Sequence, residues 1–284
     1  MTNIRRRWFK ERVSLLHSDQ KNALSEFMEQ LTAAPASLLL LDYDGTLAPF
    51  HTERHRAYPY PQLVPLLESI LKCPKSRVVI ITGRPIVEMG PLLSPLDNIE
   101  IWGSHGLEHR LADGTYRQIM IAPETAAALS QAESWLTVAG LAHRTEIKPG
   151  GIAVHWRGLP DAEVERVQSC AQKGLSGFGG QPGLKLLEFE AGLELRIAHP
   201  NKGDAISSIL SHSDHRAQIA YLGDDFTDED GFRVLNPRGL TVLVRPEYRE
   251  TNALIWLRPP HELISFLEQW LNCVCAWSDS IVNE

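Results

Sequence analysis

The chain has 284 residues, 43% of them hydrophobic, which is enough to bury a full core and favours two domains over one. A formal net charge of −7 excludes general affinity for nucleic acid or anionic membrane, and no apolar run approaches the ~18–20 residues of a membrane span. Arg5, Arg6 and Arg7 are not followed by a signal-peptide core, and Cys73, Cys170, Cys273 and Cys275 lack zinc spacing, so the expectation is a cytoplasmic protein with reduced thiols, a monomer or weak oligomer.

Residues 1–35 place Trp8, Val13, Leu15, Leu16, Leu24, Phe27, Met28 and Leu31 at helical spacing, which predicts one or two helices docked on the main body. Leu38 to Leu47 reads LLLLDYDGTL, a buried strand ending in two carboxylates one residue apart. Leu63 to Leu71 is an amphipathic helix. Val78 to Ile81 is a second strand, ending in Thr82-Gly83-Arg84, and Ile99 to Trp102 a third, ending in Gly103-Ser104-His105-Gly106. This alternation predicts an α/β fold, a Rossmann-like, mostly parallel sheet with helices on both faces, and ligands beyond the carboxyl ends of its strands.

Beyond the Asp113-Gly114 turn the character changes. A helix over Glu124 to Val138, a strand over Gly151 to Arg157, a helix over Asp161 to Gln172 and two short strands within Leu184 to Ile197 predict a smaller α/β unit inserted in the sheet domain. The glycine-rich stretch Gly174 to Gly183 reads as a flexible connector, since it has no Gly-Lys-Ser/Thr for a phosphate loop. After Pro200 the first pattern resumes: a helix from Lys202 to Leu210, a strand over Ile219 to Leu222 ending in Gly223-Asp224-Asp225, a strand over Leu240 to Val244, Leu254 to Trp256 at the sheet edge, and a helix over His261 to Trp270. The expected division is 1–35 helical extension, 36–110 core, 111–197 cap and 198–284 core.

Two carboxylates at i and i+2 after a strand suit metal ligands, an acid/base pair, or a nucleophile with its base. By themselves they also suit a glycosyltransferase holding a nucleotide sugar through a divalent ion. Their company narrows the choice: Thr82 after the second strand, Lys202 at a helix start, and GDDFTDED from Gly223 after a later strand. In this order Asp42-Tyr43-Asp44-Gly45-Thr46, Thr82, Lys202 and Gly223 to Asp228 resemble the four motifs of the haloacid dehalogenase superfamily. Ile81 to Arg84, Gly103 to Glu108, Glu146-Ile147-Lys148 with Val154 to Arg157, Glu194-Leu195-Arg196 and Asn201 to Ala205 resemble the trehalose-6-phosphate phosphatase family within it.

The resemblance implies a Mg²⁺-dependent phosphatase acting on a small-molecule sugar phosphate through an aspartyl-phosphate. It implies Asp42 as nucleophile, Asp44 as acid/base, and Thr82 and Lys202 as phosphate partners. Asp42, the carbonyl of Asp44, Asp224 and Asp228 would serve the metal, and Gly83, Arg84, Ser104, His105, Glu146, Lys148 and Glu194 the substrate. Phosphatases of sucrose phosphate, glucosyl- or mannosylphosphoglycerate or glucosylglycerol phosphate share the cap type, so the sugar stays open here. A sensor without turnover has no need of a nucleophile beside an acid. Phe50 to Tyr60 is unusually charged for a segment following the first motif, with His51, Glu53, Arg54, His55 and Arg56.

Overall fold

A computed structural model describes residues 20–275 except positions 52, 95, 97, 190 and 237. Trp8, Val13, Leu15 and Leu16 therefore lie outside the described residues. The helix α1 spans 20–33. It buries Phe27, Met28 and Leu31, and the Phe27 ring lies 5.9 Å from that of Trp270, so this part of the N-terminal segment docks on the main body.

The larger sheet has eight strands. In chain order they are β1 (Ser37–Leu41), β2 (Ser76–Ile81), β3 (Glu100–Gly103), β4 (Glu108–Arg110), β5 (Tyr116–Gln118), then, beyond an inserted unit containing β6 to β9, β10 (Gln218–Gly223), β11 (Leu240–Val244) and β12 (Ile255–Leu257). Their spatial order is β12-β11-β10-β1-β2-β3-β4-β5. All pairs from β12 to β3 are parallel, and the β4–β5 hairpin adds two antiparallel strands. The expected core-to-cap boundary at 110/111 falls inside that hairpin.

β1 is central and buried on both faces, which is why it reads as an unbroken apolar run. Leu39 and Leu41 enter one core cluster while Leu38 and Leu40 enter the other, each at most 2% exposed. At roughly 1.5–3 kcal/mol per buried leucine these four fix the strand and its register firmly. The first cluster includes α2 (Leu63–Leu71), α3 (Ile86–Leu93) and α8 (His261–Cys275), and the second α6 (Lys202–Ser211) and α7 (Glu229–Leu235).

The inserted unit comprises α4 (Pro123–Val138), β6 (Thr145–Lys148), β7 (Gly151–His155), α5 (Asp161–Gly179), β8 (Leu184–Phe189) and β9 (Gly192–Ile197). Its antiparallel sheet runs β6-β7-β9-β8. Ile152, Val154, Leu193 and Leu195 pack beneath α4 and α5. On the opposite face Glu146, Ala153 and Glu194 stand in register across three strands.

Two expectations need correction. The glycine-rich stretch is helical as far as Gly179 rather than a connector. A Cβ at Gly174 would stand 2.0 Å from the Trp135 ring, so the bare backbone lets the indole of α4 lie on α5. This packing outweighs the roughly 1 kcal/mol that glycine costs a helix. The second correction concerns the thiols. Cys73, just after α2, and Cys275, on α8, form a disulfide with a Cα–Cα distance of 5.6 Å, while Cys170 and Cys273 are free. The pair is 202 residues apart in sequence and is brought together by the packing of α2 on α8. The cysteine pattern therefore lends no support to a cytoplasmic location. Among the described residues no helix is long and apolar enough to cross a membrane. Because the disulfide closes so long a loop, Cys275→Ser should lower the unfolding free energy by roughly 2–5 kcal/mol, read from urea denaturation under oxidising conditions.

Candidate active site

The carboxyl ends of β1, β2 and β10 meet at one edge of the sheet, at the point where the chain order runs outward in both directions. Leu41 pairs with Leu222 on one side and Ile80 on the other, so Asp42, Thr82 and Asp224 emerge close together. They lie below a cavity of about 580 Å³ whose roof is the strand face carrying Glu146 and Glu194.

Asp42 is 4% exposed and accepts a hydrogen bond from Lys202 Nζ at 2.6 Å. Lys202, the first residue of α6, also donates to Asp228 at 2.6 Å. Its position is set by Asn201, whose side chain caps the helix in a reciprocal box with Asp204. Burial alone would weaken the ammonium, but the carboxylates of Asp228 and Asp42 outweigh it and raise the Lys202 pKa above the ordinary range. Asp42 is pushed up to about 7 by burial, with Asp228 adding to it and Lys202 opposing it.

Oxygens of Asp42, Asp224 and Asp228 lie within 4.8 Å of one another. Asp228 is spoken for: Lys202 and the Tyr221 hydroxyl donate to one oxygen, and the amides of Asp224 and Asp225 to the other at 3.0 and 2.9 Å. Asp224 is the opposite case. It is 2% exposed, neither carboxylate oxygen has a hydrogen bond among the described residues, and Arg245 Nη1 stands 3.9 Å away. Burial and the neighbouring Asp42 and Asp228 raise its pKa well above the usual carboxylate range. Such a group costs several kcal/mol unless it is neutralised or bound to a cation. The free all-oxygen donors of Asp224, beside Asp42, fit a hard divalent ion. Gly45 makes room for this arrangement: at φ +79°, a Cβ there would stand 2.1 Å from Asp224 Oδ2.

Asp44 points its carboxylate into the cavity and is gripped in a bidentate pair by Arg84, with both nitrogen–oxygen distances 2.6 Å. Arg84 is 1% exposed, and its Nη1 donates to the Arg54 carbonyl at 2.9 Å. The Thr82 hydroxyl accepts from the Arg84 amide at 3.1 Å. Gly83 lines the cavity beside His105, whose ring would stand 2.6 Å from any Cβ at that position. Burial, with Arg196, Lys202, Lys148 and Arg54 nearby, holds His105 neutral, well below the usual histidine pKa. Ser104 is not brought to the cavity: its hydroxyl donates to Glu108 at 2.5 Å.

On the roof, Lys148 donates to Glu194 at 3.0 Å and lies 4.0 Å from Glu146, which also meets His155 at 2.8 Å. Burial would push Glu194 up, but Lys148 and Arg196 outweigh it and hold its carboxyl below the usual range. Sequence reasoning did not assign Phe50, Arg54, His143, Arg144 or Thr227 to this cavity, although all line it. For Phe50 and Arg54 the signal was the charged run after the first motif. For Thr227 it was the motif from Gly223 to Asp228 that contains it, and for His143 and Arg144 there was none.

A profile of the family described as trehalose-phosphatase matches residues 40–254. The trehalose-phosphate phosphatase of Mycobacterium ulcerans (strain Agy99) is 30% identical over 249 residues, covering 82% of this chain and 60% of that protein. Trehalose-phosphate phosphatase B of Arabidopsis thaliana is 27% identical over 286 residues, covering 93% and 73%. The chain thus spans about 60% of the length of the mycobacterial relatives it matches. Among solved structures, the C-terminal domain of C. albicans trehalose-6-phosphate phosphatase superimposes with a TM-score of 0.76 at 20% identity, covering 88% of this chain and 96% of that one. A haloacid dehalogenase-like hydrolase from B. subtilis gives 0.58 at 15%, covering 82% and 99%. These two similarities establish the mostly parallel core with an inserted cap.

Proposed function

The chain belongs to the trehalose-phosphatase family, and from that premise we propose that it hydrolyses trehalose 6-phosphate to trehalose and phosphate with Mg²⁺ as cofactor. The observation that carries the proposal is the stacking of Asp42, Lys202 and Asp224 on the floor of a cavity roofed by Glu146, Lys148 and Glu194. The floor suits a phosphate ester and the roof a polyhydroxyl leaving group.

In the first step an oxygen of Asp42 attacks phosphorus, the bond from phosphorus to the sugar oxygen breaks, and Asp44 gives that oxygen its proton. The Arg84 fork, bidentate to Asp44 with both nitrogen–oxygen distances 2.6 Å, fixes where that carboxyl stands beside the cavity. In the second step Asp44 takes a proton from water, which attacks the phosphorus of the aspartyl-phosphate and releases Asp42. Lys202, the Thr82 hydroxyl and the Gly83 amide hold the phosphate oxygens against the charge that develops. Glu146, Lys148 and Glu194 bind sugar hydroxyls, and the cap excludes water until the sugar leaves. Asp42 and Asp224 would hold the Mg²⁺, with the Asp44 carbonyl completing the protein ligands, and the ion supplies positive charge that lets an anionic nucleophile meet an anionic ester.

Metal binding has a signature independent of turnover. Adding Mg²⁺ to about 100 times its Kd should raise Tm by roughly 5–10 °C, because the ion offsets the crowded carboxylates only in the folded state. Asp224→Asn should remove most of that rise in a thermal-shift assay. For the reaction, incubation with trehalose 6-phosphate and Mg²⁺ should release trehalose and phosphate in equal amounts. Release no greater than that of the Asp42→Asn variant would defeat the proposal.

A further inference from the structure

The charged run after the first motif takes no part in the steps above, yet it forms one wall of the cavity through Phe50, His51 and Arg54. Arg54 begins a short 3-10 turn. On the core side Glu88 of α3 holds its Nη2 at 3.4 Å, and on the cap side its Nη1 meets Glu146 of β6. Its carbonyl receives the Nη1 of Arg84, the residue that grips Asp44. Close by, the Phe50 ring lies 5.1 Å from the guanidinium carbon of the cap's Arg157. The cap therefore meets the core through a cation and an aromatic ring supplied by one loop.

We infer that Arg54 is a specificity-determining residue of the leaving-group pocket, which orients Glu146 and donates a hydrogen bond to a hydroxyl of the bound sugar. This rests on the glycosyl-phosphate reading above. A guanidinium only donates and a carboxylate only accepts, so together they offer neighbouring hydroxyls a donor and an acceptor at fixed spacing. A leaving group without hydroxyls satisfies neither, and leaves Arg54 and Glu146 bonded to each other. Both ends of the arginine are constrained: Glu88 steadies the fork, and the main chain is tied to Arg84. The side chain is 32% exposed with the cavity open to solvent, and a ligand filling the cavity would dry it further and strengthen its hydrogen bonds.

A purely structural ion pair would change every substrate alike, so the test is a ratio. For wild type, Arg54→Ala and Arg54→Lys, kcat/KM is measured on trehalose 6-phosphate and on p-nitrophenyl phosphate, whose aryl leaving group has no hydroxyls to pair. The ratio of the two should fall at least tenfold in Arg54→Ala, with the larger share of the loss in KM, and recover in part in Arg54→Lys. An equal fall on both substrates, or no fall on either, overturns the inference. If the wild type hydrolyses p-nitrophenyl phosphate but not trehalose 6-phosphate, it is the functional reading that has failed. Arg54 is then judged by hydrogen exchange: β6 amides should exchange faster in Arg54→Ala than in wild type, and equal rates overturn the pairing with Glu146.

Discussion

Replacing Asp42 with Asn should lower kcat by at least about 10⁴-fold on every substrate the protein hydrolyses, because a neutral amide cannot form the covalent intermediate and nothing else in the floor of the cavity replaces it. The fold should survive. The amide has nearly the same shape as the carboxylate, and Lys202 keeps its second partner, Asp228, at 2.6 Å. Burial and Asp228 push Asp42 up to about 7 against the pull of Lys202, so its charged form is a strain on the metal-free protein rather than a support. The sign follows: a carboxyl whose folded pKa is raised draws stability down as pH rises from about 4 to about 7. The metal-free variant should therefore match or exceed wild type in urea midpoint at pH 7. A large loss of stability together with activity would mean that Asp42 acts chiefly as scaffold.

Lys202→Met should do both kinds of damage. The ammonium is 2% exposed and serves two buried carboxylates, Asp42 and Asp228, each at 2.6 Å. Removing it leaves uncompensated charge in the interior, at a cost of roughly 3–5 kcal/mol in urea denaturation of the metal-free protein. The Lys202 pKa is raised by its partners, so its contribution is complete at neutral pH and is lost only as pH rises through that elevated value. Below neutrality the gap should narrow, because Asp42, pushed up to about 7 by burial, protonates. Activity should fall at least a hundredfold, since the same nitrogen neutralises the phosphate. A variant as stable as wild type would place the ammonium in solvent, contrary to its burial.

Much of this was legible in the sequence because its physical causes are local. A central parallel strand is buried on both sides and must read as an apolar run, so β1, β2 and β10 stood out, and with them Asp42, Thr82 and Asp224 at their ends. What escaped depends on contacts between distant segments. Gly174 sits in a helix because its bare backbone receives the Trp135 ring, and Gly179 because it receives Leu186, contacts that no helix propensity encodes. Cys73 and Cys275 pair because α2 docks on α8. Arg84 lines the cavity and also grips Asp44, a pairing that depends on distant segments, and Ser104 turns to Glu108 because residues 104 and 105 adopt left-handed backbone angles, φ 48° and 57°. Arg54 could be noticed as part of a charged run, but its role depends on the position of the cap.

The most direct measurement is a comparison of kcat/KM across glycosyl phosphates: trehalose 6-phosphate, sucrose phosphate, glucosyl- and mannosyl-3-phosphoglycerate and glucosylglycerol phosphate, each with Mg²⁺ and an Asp42→Asn control. The account predicts that trehalose 6-phosphate leads by at least tenfold, through differential binding of its leaving group in the transition state. A higher value for any other member would keep the phosphatase and reject the sugar, and no turnover of any member would contradict the account itself.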